Sequence, residues 1–386
     1  MSKVVIQECG SYSINKITEK LNSGMELIGG WETFIHPGMT VLLKVNLIGP
    51  KSSETAAVTH SEFVRAITKI LKKMDCTVWI GDSSGGAIAG IAPTTQSFEV
   101  SGLNSVAKEE GAIIKNFDKE GVRECLISAD YGDKLYLAKP VFEADLVINL
   151  PKFKTHTAGI YTGAVKNVFG FIPGLKKAEY HKLLPDPENF GSMLADIHEN
   201  SKIALHIMDG ITAMQGEGPT AGDVYNGNKI LISTDPLALD TVAAKMIGLD
   251  IKDIPILNAA RMRNIGEWHL ESIEICGDYN HPPELKGFKL PKRFNSKKKQ
   301  NYKVLIKVID FLKTRPKIKL SLCKQCNMCV ESCPVQAIDK RTKVIDYSKC
   351  IECMCCHELC RYKAVELKKD NMIAGLMTKL YRGKYK

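Results

Sequence analysis

Long apolar runs are missing from this chain: nothing in its 386 residues approaches the ~18 consecutive apolar positions that a membrane span needs. An export signal is missing as well. Met1-Ser-Lys-Val-Val-Ile offers a lone Lys and a strand-like run, with neither an h-region nor a cleavage site, so a cytoplasmic location is expected. A reducing compartment then excludes disulfides as the use of the 13 cysteines. No nucleic-acid recognition module is legible, and no nucleic-acid partner is expected. What remains is an ordinary globular composition, 44% hydrophobic and 25% charged, long enough for two or three domains.

Nine of the cysteines lie between Cys323 and Cys360. The other four (Cys9, Cys76, Cys125 and Cys276) are scattered and read as small core residues. The clustered ones form two runs, Cys323-x₂-Cys326-x₂-Cys329-x₃-Cys333-Pro334 and Cys350-x₂-Cys353-x₂-Cys356-x₃-Cys360. Structural zinc takes four ligands, usually from two separated CxxC pairs, and fits this spacing poorly. The spacing is that of two [4Fe–4S] clusters, each taking three thiolates from one run and the fourth from the other. Cys323, Cys326, Cys329 and Cys360 are therefore expected around one cluster, and Cys350, Cys353, Cys356 and Cys333 around the other. Such a module moves single electrons and performs no bond chemistry alone.

Charge is split between the two parts. Residues 286–386 hold 26 Lys and Arg against 8 Asp and Glu, whereas residues 1–285 hold 27 against 35. A strongly basic cluster-binding end suits an acidic redox partner of the ferredoxin or flavodoxin type, or the chain's own acidic portion.

Up to about residue 285, short β runs alternate with amphipathic helices. Val4–Ile6, Val41–Val45, Thr77–Ile80, Ile113–Phe117, Leu146–Leu150, Ala204–Met208 and Ile230–Ser233 read as strands. Ile14–Ile28, Phe63–Leu71, Met193–His198 and Leu237–Ile247 read as helices, the last with Thr234 or Asp235 as N-cap and Pro236 in its first turn. The alternation predicts a mostly parallel α/β main domain over 1–285. A basic connector at 286–320 follows, with an apolar helical face at Val304, Leu305, Val308, Phe311 and Leu312 that packs the next module. A small α+β ferredoxin-like domain over 321–367 and a basic tail over 368–386 complete the chain.

In open parallel sheets, ligands sit beyond the carboxyl ends of strands. Lys44 and Asn46 close one strand; Lys152, Lys154, His156, Lys166 and Asn167 follow another, interleaved with Gly and Thr. Together they would bind a carboxylate or phosphate, with His156 and Lys166 as candidate catalytic groups and Lys44, Asn46, Lys152, Lys154 and Asn167 as substrate contacts. The Gly81-Asp-Ser-Ser-Gly-Gly86 loop matches neither GxGxxG nor GxxxxGK[ST]. Asp209-Gly begins a further loop that is a candidate site wall, and Asp240 reads as a solvated helix charge.

Residues 321–367 resemble two-cluster bacterial ferredoxins, including the Ala337-Ile338 and Ala364-Val365 steps. Arg361 stands where that family has Pro, and Cys355 adds a ninth thiol that reads as a packed bystander. The stretches Lys44-Val-Asn46, Gly81–Gly86, Asn149–His156, Thr162–Gly170 and Ser233–Asp240 resemble the domain-of-unknown-function family numbered 362, whose members often end in such a module. That resemblance implies an architecture and no agreed reaction. More distantly, His156 with Thr162-Gly-Ala-Val-Lys166 and Ile172-Pro-Gly174 is similar to a segment of the nickel-pincer lactate racemases, in which the matching lysine holds the cofactor. The second histidine pattern of that family is missing here.

The expectation is thus an iron–sulfur oxidoreductase with two [4Fe–4S] clusters, exchanging electrons with an anionic small molecule. The alternative is a carrier or redox-sensing or assembly protein that docks to protein partners.

Overall fold

Strand β1 (Ser2–Glu8) shows how the large domain is built. Val4 and Ile6 pack into one apolar core and Val5 into another, all fully buried. Successive strand side chains face opposite ways, so a strand apolar at consecutive positions must be covered on both sides. In β2 (Thr40–Lys44), Leu42 faces the first core while Val41 and Leu43 face the second.

The computed structural model describes residues 1–85, 93–129, 131–292, 314–331, 333, 335–350 and 355–369. The sheet order is β12 (Ile273–Gly277), β1, β11 (Asp223–Ser233), β10 (Ile203–Gln215), β7 (Leu146–Asn149), β2, β3 (Thr77–Asp82) and β4 (Ile113–Asn116). Off this path, β8 (Lys152–His156) pairs with β10 and with β9 (Ile160–Thr162). The β12–β1, β10–β7, β7–β2, β2–β3, β3–β4 and β10–β8 pairs are parallel. The β1–β11, β10–β11 and β8–β9 pairs are antiparallel. The sheet is mixed and mostly parallel, as the alternation implied.

Helices α1 (Ile14–Glu26), α2 (Ser61–Lys73), α3 (Thr94–Val100) and α4 (Leu103–Glu110) send Leu21, Phe63, Phe98 and Leu103 into the second core. The opposite face carries α5 (Pro140–Glu143), α6 (Ala164–Asn167), α7 (Gly174–Leu183), α8 (Pro187–Glu199), α9 (Pro236–Met246) and α10 (Pro255–Met262). Capping follows the sequence signals. Asp235 accepts from the amides of Leu237 and Ala238 ahead of Pro236 at the start of α9, and α2 ends on Lys72 and Lys73, which favour its dipole.

Two hairpins were not expected. The β5 (Val122–Ala129) and β6 (Gly132–Ala138) pair lies outside the main sheet, and charged residues interrupt its apolar alternation. Strand β8 reads Lys-Phe-Lys-Thr-His yet is buried at all five positions, which no hydrophobic pattern announces. Of the scattered cysteines, Cys9, Cys76 and Cys125 are buried and Cys276 is half-buried.

In the C-terminal module, β13 (Thr314–Ile318) pairs antiparallel with β14 (Val365–Lys369), and α11 (Met328–Glu331) and α12 (Cys355–Glu358) are single turns. Its core is small: Ile318, Ile338, Ile345 and Val365 with Cys329 and Cys356. The connector face at 304–312, Gly86, Cys353 and tail residues 370–386 lie outside the described residues.

Candidate functional site

Register assembles the polar edge of the sheet. Lys44 pairs with Gly81 on β3 and Asn149 on β7, and Asn149 pairs with His206 on β10. Lys44, Asp82 and Asn149 thus line up across the carboxyl ends of three strands, with His206 of the longer β10 beside Asn149. Lys44 Nζ lies 3.0 Å from Asp82 Oδ1 and donates to the Val45 carbonyl at 2.6 Å. Burial pushes Lys44 down and Asp82 up, and the ion pair opposes both shifts. A Cβ on Gly170 would collide with both side chains, so only glycine lets this backbone cross the pair.

Beside the pair, Lys177 of α7 donates to Ser83 Oγ at 3.0 Å, to the Ser84 carbonyl at 3.3 Å and to the Ser83 carbonyl. Ser83 Oγ donates to Asp118 at 2.7 Å, and the Gly174 amide reaches the same carboxylate oxygen at 2.6 Å. Burial lowers Lys177 to about 8; Asp82 and Asp118 oppose that shift, and Lys44 and Lys166 add to it.

A chain of amides runs along the same edge. Lys154 Nζ donates to Asn46 Oδ1 and to the Ala57 carbonyl, both at 2.6 Å. Asn46 donates to Asn167 at 2.6 Å, and Asn167 donates to Asn149 at 2.7 Å. Asn149 Nδ2 lies 3.1 Å from both the Ala164 carbonyl and His206 Nδ1. Burial holds His206 well below the usual histidine value.

Asp240 is the largest departure from the sequence reading. It is fully buried, not solvated, and accepts from the amides of Ala164 (2.8 Å) and Val165 (2.9 Å) and from the Tyr161 hydroxyl (3.2 Å). The carboxylate thus holds the start of the one-turn helix that carries half-buried Lys166. Burial raises it to about 7, with those hydrogen bonds opposing. His156, at the end of β8, accepts at Nδ1 from the amides of Ala158 (3.2 Å) and Gly159 (3.0 Å). In the neutral ring the proton then sits on Nε2. Ile160 next to this turn has φ of 69°, a strained value for a β-branched residue.

Lys152 belongs to a separate network. Its Nζ lies 2.7 Å from Asp209 Oδ2, which also accepts from the His60 amide at 3.0 Å, while Tyr12 donates to Asp209 Oδ1 at 2.8 Å. Tyr12 stacks on His60 with ring centroids 3.5 Å apart. Both charges of the pair are fully buried.

In the small module, Cys323, Cys326, Cys329 and Cys360 line one cavity together with Met328 and Tyr362. Burial, then the thiols of Cys360, Cys323 and Cys326, pushes Cys329 up to about 11, a setting in which a bound metal rather than the protein must supply the deprotonation. Gln325 and Asn327 have φ of 56° and 60°, which coils the loop tightly enough to bring three thiols onto one cavity. The last cysteine of each run accepts from the amide four residues on: Ala337 to Cys333 and Ala364 to Cys360, both at 3.2 Å. The two halves repeat one local geometry.

Comparison with known proteins places this architecture. The model of the domain of unknown function DUF362 matches residues 41–245, and that of the 4Fe-4S binding domain matches residues 316–339. The chain belongs to the DUF362 family. A thylakoid-associated protein of Synechocystis sp. is 32% identical to this DUF362 member over 285 residues, 73% of this chain and 85% of that protein. Among solved structures, the lactate racemase apoprotein of Thermoanaerobacterium thermosaccharolyticum matches with a TM-score of 0.37 at 12% identity, over 60% of this chain and 54% of that one. A Thermotoga maritima protein matches with a TM-score of 0.38 at 11% identity, over 67% and 60%. The chain spans less than two thirds of either solved structure.

This DUF362 protein is an iron–sulfur electron-transfer protein carrying a 4Fe-4S domain. Among its described residues no helix is long and apolar enough to cross a membrane. The sequence-predicted residues fall into distinct places. Lys44, Asn46, Lys154 and Asn167 meet at one edge, Lys152 sits in its own ion pair, and His156 and Lys166 flank β9. The sequence reading missed the pairing role of Asp82, Asp209 and Asp240. Each stands within or just after a run of buried apolar residues, the one signal that marks it as an interior charge.

Proposed function

We propose that the protein binds two [4Fe–4S] clusters and passes electrons to or from an anionic small molecule at the carboxyl edge of the sheet. The observation that carries the reading is the cavity lined by Cys323, Cys326, Cys329 and Cys360. The matching local geometry at Cys333 and Cys360 supports a second set made of Cys350, Cys353, Cys356 and Cys333. When bound, the clusters supply one-electron transfer.

The chain's own residues do the rest. Lys166 brings positive charge to the edge, and Lys177 adds to it from the interior, its ammonium held by Ser83 and Ser84. His156, its ring fixed by two backbone amides, holds one tautomer and presents it in a fixed orientation. Lys44, Lys152 and Lys154 are committed to internal partners and act on a ligand by holding the edge in shape. An acidic ferredoxin or flavodoxin-type protein is the expected electron partner for the basic module.

The test is reoxidation of the dithionite-reduced protein by small carboxylates and phosphate esters under anaerobic conditions. A saturable reoxidation that Lys166→Ala and His156→Ala weaken, with cluster content unchanged, supports the site. Reoxidation by protein partners alone would make the chain a carrier.

A further inference from the structure

Among the described residues, three buried side-chain atoms have no hydrogen-bond partner: Thr162 Oγ1, Thr241 Oγ1 and His357 Nε2. Thr241 lies on α9 and His357 in the small module, whereas Thr162 closes β9 at the polar edge of the sheet. Thr162 is only 3% exposed, so water does not replace the missing partner as it would at a surface.

Register fixes where this hydroxyl faces. In the antiparallel β8–β9 pair, Thr162 stands opposite Lys154, and directly opposed residues share a face. Tyr161, one position back, faces the other way, with its ring on Phe153 (centroids 5.7 Å apart) and its hydroxyl on Asp240. The Thr162 face is thus the one on which Lys154 Nζ meets Asn46 Oδ1 and the Ala57 carbonyl, both at 2.6 Å.

That face is rich in donors. The side-chain oxygens of Asn46, Asn167 and Asn149 each accept from the group before them, Lys154, Asn46 and Asn167 in turn. The amide chain therefore uses its acceptors internally, while Asn46 spends one of its two amide protons on Asn167. Lys154 carries its positive charge onto the same face. Asn46 and Lys166 are half-buried, so the edge opens to solvent beside them.

We propose that the Thr162 hydroxyl donates a hydrogen bond to an oxygen of a bound carboxylate or phosphate, beside the second amide proton of Asn46. Lys154 contributes charge there and keeps its internal bonds. The inference rests on the anionic-ligand reading above and names a binding residue within that site.

The experiment is urea unfolding of the anaerobically purified full chain, followed by tryptophan emission, at rising inorganic phosphate and, separately, rising acetate. A ligand that binds only the folded state raises the midpoint in a saturable way, and all three tryptophans lie in the large domain. Without anion, Thr162→Val should unfold at the wild-type midpoint or above it, since it removes a hydroxyl that has no partner in the free protein. Its saturable shift should need roughly ten- to a hundredfold more anion, as for loss of one hydrogen bond to a charged group. Thr162→Ser should restore most of the affinity, and the anion that gives the wild-type shift names the ligand class. Equal anion dependence in wild type and Thr162→Val would overturn the proposal; if Lys166→Ala still weakens binding, the anion-site reading stands without it. A lowered midpoint of Thr162→Val without anion would show the hydroxyl bonded internally and overturn the proposal too. No saturable shift in wild type with either anion overturns both readings.

Discussion

Removing the Asp209 carboxylate tests whether Lys152 is held as internal architecture. Lys152 and Asp209 are both fully buried at 2.7 Å, so Asp209→Ala leaves a cation in the interior without its counter-charge. Breaking a buried pair from one side costs about 3–5 kcal/mol. The Tyr12 hydroxyl and the His60 amide lose their acceptor in the same change, for about 1 kcal/mol each, not strictly additive. A loss of about 3–5 kcal/mol lowers the folded-to-unfolded ratio by roughly two to four orders of magnitude. Trp31, Trp79 and Trp268 are the only tryptophans and all lie in residues 1–285, so urea unfolding followed by tryptophan emission reports on the large domain alone. The double variant Lys152→Met with Asp209→Leu should recover most of the loss, since apolar replacement of a whole buried pair is often neutral. A loss below about 1 kcal/mol, the range of exposed pairs, would refute the reasoning.

Three further outcomes follow from the same geometry. Gly170→Ala places a methyl against Lys44 and Asp82 and should cost about 1–3 kcal/mol as overpacking, read from the same urea curves; an unchanged midpoint would contradict the close approach. Asp240, near 7 when folded against 3.8 when exposed, binds its proton more tightly in the folded state, so its contribution to stability should fall as pH rises from about 4 to about 7 and level off above. Asp240→Asn should flatten that part of the pH–stability profile, and a parallel profile would show that the carboxyl does not titrate there. Stripping iron with a chelator should unfold the small module, whose core holds only a few aliphatic side chains beside the cysteines, since metal binding and folding are coupled in such modules. Far-UV circular dichroism should drop while tryptophan emission holds, and a module that keeps its structure without iron would refute this.

The strands most legible in the sequence are those buried on both faces, such as Leu146–Asn149 and Thr77–Asp82, because two covered faces leave an unbroken apolar run. Strand β8 was illegible for the opposite reason. Its lysines are interior only because Asp209, Asn46 and the Ala57 carbonyl meet them, and those partners lie about 60 to 108 positions away in sequence. The same long-range pairing hid Asp240, which looks like an ordinary solvated helix charge until the Ala164 and Val165 amides are brought to it. The Lys44, Asn46 and Asn167 grouping was readable as polar residues at strand ends. That they bond to one another depends on β2–β7 register, which no local pattern encodes. The cysteine runs were readable because x₂ spacing forces three thiols onto one loop, and the cavity shared by Cys323, Cys326, Cys329 and Cys360 has that form.

The central claim, two clusters held by crossed cysteine runs, is tested most directly by iron and acid-labile sulfide analysis of anaerobically purified protein, with EPR before and after reduction. The account expects about eight irons per chain and spin-coupled signals on full reduction. About four irons with a single uncoupled signal, or zinc in place of iron, would contradict it.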